Sequence, residues 1–146
     1  MATLDGWPLP GVDVTIADDG EILIAGPIVA GGGTHRTGDL GRLEHGRLAV
    51  TGRKSDTIVT GGENVAPAEV EAVLASHPGV DDVAVVGRED PEWGEAVTAL
   101  VVGDADPDAL RAYARERLAP FKVPKRFERV STLPRTASGK LLRRSL

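Results

Sequence analysis

Alternating apolar and polar residues fill the first third of the chain. Residues Val12 to Ile16 alternate as a half-buried strand does, and Glu21 to Ala25 form a second apolar run. Asp18-Asp19-Gly20 lies between them and is a turn signal, so the two runs predict a β-hairpin. A second hairpin is predicted over residues 43–50, with its turn at His45-Gly46. The first fifty residues are therefore predicted to be β-structure.

The pattern changes near Lys54-Ser55, after which helical spacing appears between strands. A strand over Thr57–Val59 and a loop at Gly61-Gly62 precede a helix that begins at Pro67, because proline is tolerated at the first helical position. Further strands are predicted over residues 80–86, 96–102 and 127–130, a second helix after the cap Asp106-Pro107, and a short final helix from Lys140 to Ser145 after Ser138.

Each of the two longer helices has an apolar stripe at helical spacing. The stripes consist of Val70, Val73 and Leu74 in the first helix and of Leu110, Ala114 and Leu118 in the second. The sequence thus predicts an α+β protein in two parts. Residues 1–54 form a small β-rich segment, a partial β-barrel, and residues 55–146 form a compact α+β domain whose small sheet is covered by two or three helices.

Charge is distributed unevenly over the 146 residues, which carry a net charge of −5. From Phe121 to the end there are eight Lys/Arg and one acid, Glu128, whereas the preceding residues hold nine Lys/Arg and 21 acids. An acidic body argues against a nucleic-acid-binding protein. The basic tail fits a local site for a phosphorylated ligand, with a solvated basic face as the alternative.

Several classes of site and location are disfavoured by composition. The chain has no cysteine, which excludes disulfides and thiolate chemistry, and its histidines His35, His45 and His77 lack metal-ligand spacing, so no metal site is predicted. No apolar run reaches the roughly 20 residues of a membrane span, and the N-terminus lacks the pattern of a signal peptide. A cytoplasmic protein is expected.

Four segments, in a fixed order, point to one family. They are His35-Arg36-Thr37-Gly38-Asp39, the stretch from Gly52 to Ile58 continued by Gly61 to Glu71, Trp93-Gly94-Glu95, and Pro134-Arg135-Thr136-Ala137-Ser138-Gly139-Lys140. Together they resemble the adenylate-forming AMP-binding enzymes, which include acyl-CoA synthetases, nonribosomal peptide adenylation domains and luciferases. The resemblance extends over nearly the whole chain from about Pro8, and is strongest to the o-succinylbenzoate–CoA ligase and aryl-CoA ligase branch, which suggests a role in menaquinone biosynthesis.

The resemblance implies a role for three charged residues. Asp39 would hold the ribose of ATP or of the acyl-adenylate, since a carboxylate accepts two hydrogen bonds and suits a diol. Arg53 would contact ribose and phosphate oxygens with its fork of donors. Lys140 would be the catalytic lysine of adenylation, offsetting the charge that builds up as a carboxylate attacks the α-phosphate.

The resemblance also implies a domain rotation between two half-reactions. The pivot would lie at Ser55, where the family usually has Asp or Lys, with Lys54 and Asp56 on either side. After rotation, Gly61 and Gly62 would leave a narrow passage for the pantetheine arm of CoA. The alternative for these glycines is an ordinary turn, and both roles are compatible.

The acceptor of the acyl group is assigned by a further likeness to CoA-using ligases. Trp93 and Phe121 lie where those enzymes place rings against the CoA adenine, and Lys125, with Lys122 and Arg126 nearby, would meet its phosphates. Val123 stands where some relatives have arginine, so one phosphate contact is absent. The alternative is that both aromatic residues serve packing.

Parts of the family pattern are absent from the sequence. The phosphate-binding loop with its lysine and the segment whose Glu helps to bind Mg²⁺ are missing, so the Mg²⁺ ligands are expected outside this chain. We therefore expect the C-terminal portion of an ATP-dependent carboxylic acid–CoA ligase, inactive in adenylation by itself, whose partners are CoA, the acyl-adenylate and a large N-terminal domain.

Two other functions stay open at this point. The chain could be a stand-alone module that binds CoA or a partner protein, or it could serve a pantetheine carried on a protein. No nucleic-acid or membrane partner is expected, and unpaired strand edges would favour self-association.

Overall fold

The structure is a computed structural model that describes residues 3–146. It contains eleven strands and two α-helices. The strands are β1 (Thr3–Leu4), β2 (Trp7–Pro8), β3 (Asp13–Ile16), β4 (Glu21–Ala25), β5 (Thr34–Glu44), β6 (Arg47–Arg53), β7 (Ile58–Thr60), β8 (Glu63–Val65), β9 (Val80–Asp90), β10 (Gly94–Gly103) and β11 (Arg126–Arg129). The α-helices are α1 (Pro67–Ala75) and α2 (Pro107–Arg115).

The described chain divides into two compact units between Ser55 and Asp56, one residue from the boundary expected from the sequence. The first unit is all β and the second combines strands with both α-helices. The predicted α+β class, a β-rich segment followed by an α+β domain, is thereby confirmed. Among residues 3–146, no helix has the length and apolarity that crossing a membrane requires.

The first unit is built on a four-stranded antiparallel sheet in the order β3-β4-β5-β6. Both predicted hairpins are present, and the second one turns at His45-Gly46, as expected. His45 and Gly46 have φ angles of +52° and +83°, the pair of positive values that a tight two-residue hairpin turn requires. This sheet places the first two sequence motifs on neighbouring strands.

The second unit is a five-stranded sheet covered by helices. Its strands run in the order β11-β10-β7-β8, with β9 paired along β10. Side chains from both helices and from the central strands form one buried core, which includes Val70, Leu74, Val85, Val97, Ala99, Leu110 and Ala114. The two predicted helical stripes therefore face this core, although Val73 is only partly buried.

The end of the chain differs from the prediction. A helix over residues 140–145 was expected, but Leu141 forms an isolated antiparallel bridge with Arg135, and only a 3-10 turn over Arg143–Ser145 follows. The prediction was wrong because the segment folds back on itself as a hairpin, which takes Leu141 out of helical geometry. The short strand β8, after Gly62, was also missed.

Candidate functional site

The segment around Lys140 is an ordered hairpin loop. The amide of Thr136 donates to the Lys140 carbonyl over 2.8 Å, and the Gly139 amide donates to the Thr136 carbonyl over 2.9 Å. Gly139 has a φ of +88°, a conformation that L side chains rarely adopt, so glycine is needed there. The Lys140 side chain is exposed, and within residues 3–146 no acid lies within ion-pair distance of it.

Two arginines fasten this loop on either side. Before the loop, Arg135 donates to both carboxylate oxygens of Asp82, over 3.0 and 2.5 Å, and to the Gly139 carbonyl over 2.9 Å. After the loop, Arg143 donates to the Val85 carbonyl over 3.0 Å and pairs with Glu71 of α1. Sequence analysis missed both anchors, because their acidic partners are 53 and 72 residues away in the chain.

The Arg135–Asp82 pair makes stability depend on pH. The hydrogen bonds from Arg135 hold the pKa of Asp82 below its ordinary value, and the same contact raises the pKa of Arg135. A carboxylate whose pKa is lowered by folding contributes stability above its unfolded pKa of about 4, and that contribution is lost as pH falls through the folded value.

We therefore expect Asp82→Asn to reduce the free energy of unfolding at pH 7, with the difference from the parent shrinking as pH falls below about 4. Urea unfolding at pH 7, 5, 4 and 3 measures this, and Asp81→Asn is a control next to it with an exposed side chain. A deficit of Asp82→Asn that stays constant down to pH 3 would contradict the assignment.

Asp39 and Arg53 face each other across β5 and β6. The two residues are partners in the strand register, and Arg53 Nε lies 2.9 Å from Asp39 Oδ1. Oδ1 is buried and, apart from this ion pair, has no hydrogen-bond partner in the described part of the chain. The Asp39 amide is held by Thr37 Oγ1 over 3.1 Å. The backbone of Asp39 is thus held in place, and its side chain is 36% exposed although Oδ1 is buried beside Arg53.

A second group of ion pairs in the first unit anchors Lys54, near the end of that unit. Lys54 Nζ lies 2.8 Å from Asp19 and 3.1 Å from Glu21, and Arg36 reaches the same two acids. The hydrogen bond from Lys54 lowers the pKa of Asp19, and the bond from the Gly38 amide is the main cause of the lowered pKa of Glu21. The pKa of Lys54 is raised by its bond to Asp19. Lys54 is therefore charged and tied to its own sheet.

The predicted pivot lies between two tethered neighbours. Lys54 is bound to acids of the first unit, and Asp56 lies 3.4 Å from Arg143 within the second unit. Ser55 between them is exposed and makes no side-chain hydrogen bond or ion pair within the described residues. The residue on each side of Ser55 is therefore held by an ion pair within its own unit, whereas Ser55 itself is not.

Gly61 and Gly62 are the two central residues of the β7–β8 hairpin. Their φ angles are +56° and +81°, and Thr60 and Glu63 pair on either side of them. A Cβ on Gly61 would lie 2.9 Å from the Trp93 ring, whereas a Cβ on Gly62 would meet nothing within 4 Å. The tight turn therefore needs both glycines, and Gly61 is also needed for contact with Trp93.

Trp93, Gly61 and Lys125 come together in the second unit. The Gly61 amide donates to the Trp93 carbonyl over 2.9 Å, and Lys125 Nζ lies 4.2 Å from the centre of the Trp93 ring. Trp93 is 39% exposed, so part of its ring is accessible as a stacking surface. Glu95, two residues on, accepts from the Val59 amide over 2.8 Å and fixes the hairpin to this segment.

The other residues predicted at the CoA site are either packed against the core or paired with an acid. Phe121 is partly buried and packs against the core. Lys122 donates to both carboxylate oxygens of Glu69, over 3.0 and 2.9 Å, and Arg126 pairs with Asp90 over 2.8 Å. Of the three cations considered, Lys125 is the one without an acid at ion-pair distance in the described chain.

Comparison with known proteins identifies the family. The profile of the AMP-binding enzyme C-terminal domain matches residues 69–140, from α1 to the lysine at the end of the loop. The chain belongs to the AMP-binding enzyme family. The match to the AMP-binding C-terminal domain lies within the second unit, and the family resemblance found in the sequence is confirmed.

Curated relatives and solved structures agree with this family. The 2-succinylbenzoate–CoA ligases of Geobacillus kaustophilus and Listeria monocytogenes are 49% and 42% identical, over 87% and 97% of this chain but 30% and 34% of their own lengths. The o-succinylbenzoate CoA synthetase of Bacillus subtilis, solved with its acyl-adenylate, is 40% identical with a TM-score of 0.81, over 94% of this chain and 34% of that one.

Similarity to this family does not by itself determine which molecule accepts the acyl group, because the similar solved structures include more than CoA ligases. An amide bond synthetase from Marinactinospora thermotolerans is 38% identical with a TM-score of 0.82, over 96% of this chain and 35% of that chain. This AMP-binding chain thus spans about a third of the length of the relatives that it matches.

Proposed function

We propose that this chain is the C-terminal portion of an AMP-forming carboxylic acid–CoA ligase of the 2-succinylbenzoate–CoA ligase type. The reaction would join a carboxylic acid, ATP and CoA to give an acyl-CoA, AMP and pyrophosphate. In the first half-reaction a carboxylate oxygen attacks the α-phosphate of ATP and pyrophosphate leaves. In the second, the CoA thiol attacks the acyl carbonyl and AMP leaves.

The observation that carries the proposal is the contrast between Lys140 and its neighbours. Arg135 and Arg143 are each bound to acids and hold the backbone, while Lys140 between them is exposed and without an acid partner in the described chain. A folded chain gains little from such an arrangement, but a lysine that must meet phosphate requires it, because an acid partner would compete with the ligand.

Asp39 and Arg53 support the proposal from the first unit. The Asp39 side chain is 36% exposed although its Oδ1 is buried beside Arg53, so the other carboxylate oxygen would accept from a ribose hydroxyl. Arg53 lies 2.9 Å from Oδ1 and would share the nucleotide with Asp39.

The pivot is part of the same proposal. Lys54 and Asp56 are tethered to their own units, so a rotation between the two half-reactions would concentrate its dihedral change at Ser55. The second unit would then act as a mobile domain that presents Lys140 for adenylation and the Gly61-Gly62 turn for thioester formation. The substrates ATP and CoA, together with Mg²⁺, enter on the likeness to the ligases.

CoA is favoured as the acceptor by one feature of the second unit. The partly exposed Trp93 ring with Lys125 Nζ at 4.2 Å offers a base-stacking surface next to a cation. Stacking of a base on an aromatic side chain contributes roughly 1–3 kcal/mol. CoA carries an adenine and would gain binding free energy by stacking it on this surface. A pantetheine on a carrier protein has no adenine to place there.

A fusion enzyme tests the proposal. Residues 3–146 would replace the corresponding C-terminal third of the Geobacillus kaustophilus ligase, with the host's ATP loop and acid pocket left intact. We expect the fusion to form the CoA ester of 2-succinylbenzoate, while this chain alone shows no ATP–pyrophosphate exchange because it lacks the phosphate-binding loop. A folded fusion that forms neither adenylate nor CoA ester would overturn the proposal, as would robust exchange by the chain alone.

A further inference from the structure

The turn that carries Trp93 joins β9 to β10 and is short. It consists of residues 91–93, and Asp90 and Gly94 pair across its base. All three of its residues are exposed, so packing against the core contributes little to holding it. A segment with few buried apolar contacts opens easily unless hydrogen bonds order it. The position of the Trp93 ring therefore depends on the bonds that the turn makes.

The carboxylate of Asp90 holds the amides of this turn. Its Oδ1 accepts from the amide of Glu92 over 2.9 Å and from the amide of Trp93 over 3.1 Å. Aspartate commonly orders a turn in this way, by bonding backbone amides that follow it in the chain. The other oxygen, Oδ2, accepts from Arg126 of β11 over 2.8 Å, and the Asp90 side chain is only 13% exposed. A carboxylate with three donors and little contact with water has a fixed orientation.

The backbone of Trp93 is thus bound on both sides. Its amide donates to Asp90, and its carbonyl accepts from the Gly61 amide over 2.9 Å. Its ring lies directly against Gly61, where an added Cβ would be only 2.9 Å from it. Asp90 bonds the backbone of Trp93, so it would act on the ring through the turn and not by touching a ligand. Losing the bond to Asp90 would leave the Gly61 bond as the sole hydrogen bond described here for the Trp93 backbone.

We propose that Asp90 is a positioning residue that keeps the Trp93 ring against Gly61, ready to stack the adenine of CoA. This inference rests on the proposed CoA-dependent function. Without the carboxylate, the amides of Glu92 and Trp93 would turn to water, and the ring would leave this position for part of the time. A site whose competent conformation is only partly populated binds its ligand with an affinity reduced by that fraction. In this assignment Arg126 orients Asp90 and does not meet a phosphate.

The position of the ring is measured in the complete chain with Trp7→Phe, which leaves Trp93 as its sole tryptophan. We expect Asp90→Ala to increase the quenching of Trp93 fluorescence by acrylamide and to remove the nuclear Overhauser contacts between the indole and Gly61. Asp90→Asn keeps an oxygen for the two amides and should restore both signals. The matched control is Glu92→Ala, which removes the same charge from an exposed residue of the same turn and should leave both signals unchanged.

The consequence for the reaction is measured in the fusion enzyme with CoA and with pantetheine, which has no adenine. Asp90→Ala should raise KM for CoA about fivefold, a part of what stacking of a base contributes, with kcat unchanged. Thioester formation with pantetheine and the adenylation half-reaction should both stay at the parent rate. A purely structural role of Asp90 would instead weaken CoA and pantetheine together.

The outcomes separate this inference from the proposed function. Unchanged Trp93 signals in Asp90→Ala would overturn it, and so would the same changes in Glu92→Ala or an equal loss with CoA and pantetheine. If the parent fusion formed the CoA ester but used CoA and pantetheine with the same KM, the role of Asp90 in stacking would fall and the ligase function would stand. If the parent fusion formed no CoA ester, the proposed function would fail, and the fluorescence and Overhauser measurements would still decide whether Asp90 positions the ring.

Discussion

Lys140→Ala in the fusion enzyme is expected to slow adenylation by about 10²–10³-fold, the usual effect of removing one fixed group that stabilises transition-state charge. Thioester formation from preformed acyl-adenylate should stay within a few-fold of the parent, because the lysine would act before the rotation about Ser55. ATP–pyrophosphate exchange measures the first half-reaction, and release of AMP from added acyl-adenylate and CoA measures the second.

Arg144→Ala is the matched control for this substitution. Arg144 is an exposed cation of the same tail, four residues further on and past the anchor Arg143. Its loss should leave both half-reactions nearly unchanged. If Lys140→Ala slowed both half-reactions to the same extent, or if Arg144→Ala reproduced its effect, Lys140 would have no specific part in adenylation.

Gly61→Ala should also have a large effect, but on the second half-reaction, in which the CoA thiol takes the acyl group. The added methyl would lie 2.9 Å from the Trp93 ring and would displace it, in addition to straining a residue at φ +56°. We expect a loss of roughly 1–2 kcal/mol of stability from the left-handed conformation and about tenfold weaker CoA binding from the lost stacking surface. Adenylation should be unaffected.

Gly62→Ala distinguishes the effect of backbone strain in the turn from the effect of a contact with the Trp93 ring. Gly62 has φ +81° in the same turn, but its added methyl would have open space. It should lose a similar amount of stability and keep its affinity for CoA. Urea unfolding and CoA titration of both variants provide the comparison. Equal loss of CoA affinity in the two would show that turn strain, not the Trp93 contact, governs the site.

The sequence predicted the elements whose cause is local. Proline at the start of α1 and Asp106 before Pro107 mark both helix starts, and the Asp106 side chain accepts from the Ala109 amide over 3.0 Å, as a cap should. Turn residues predicted the hairpin at His45-Gly46. The wrong final helix came from applying the same local rule to Ser138, where a bridge between Arg135 and Leu141 decides the conformation.

In the candidate site, too, the sequence predicted individual residues but not the contacts that the fold creates between them. Motif residues such as Gly61 and Trp93 were found separately from the sequence, but their contact depends on the pairing of Thr60 with Gly94 across β7 and β10. Lys125 was likewise named from the likeness to CoA-using ligases, but its 4.2 Å approach to the Trp93 ring depends on the packing of two segments that lie 32 residues apart in the chain. Charge partners at long sequence separation are set by tertiary packing alone.

The two arginine anchors of the lysine loop would also affect the energetics of the proposed reaction. Fixing one residue's backbone costs roughly 1–2 kcal/mol in conformational entropy. Residues 136–139 are ordered by bonds within the hairpin and by Arg135 and Arg143 at its ends. That entropy is therefore lost once, when the domain folds, so each cycle of the proposed reaction would have only the rotamers of a single lysine side chain left to order.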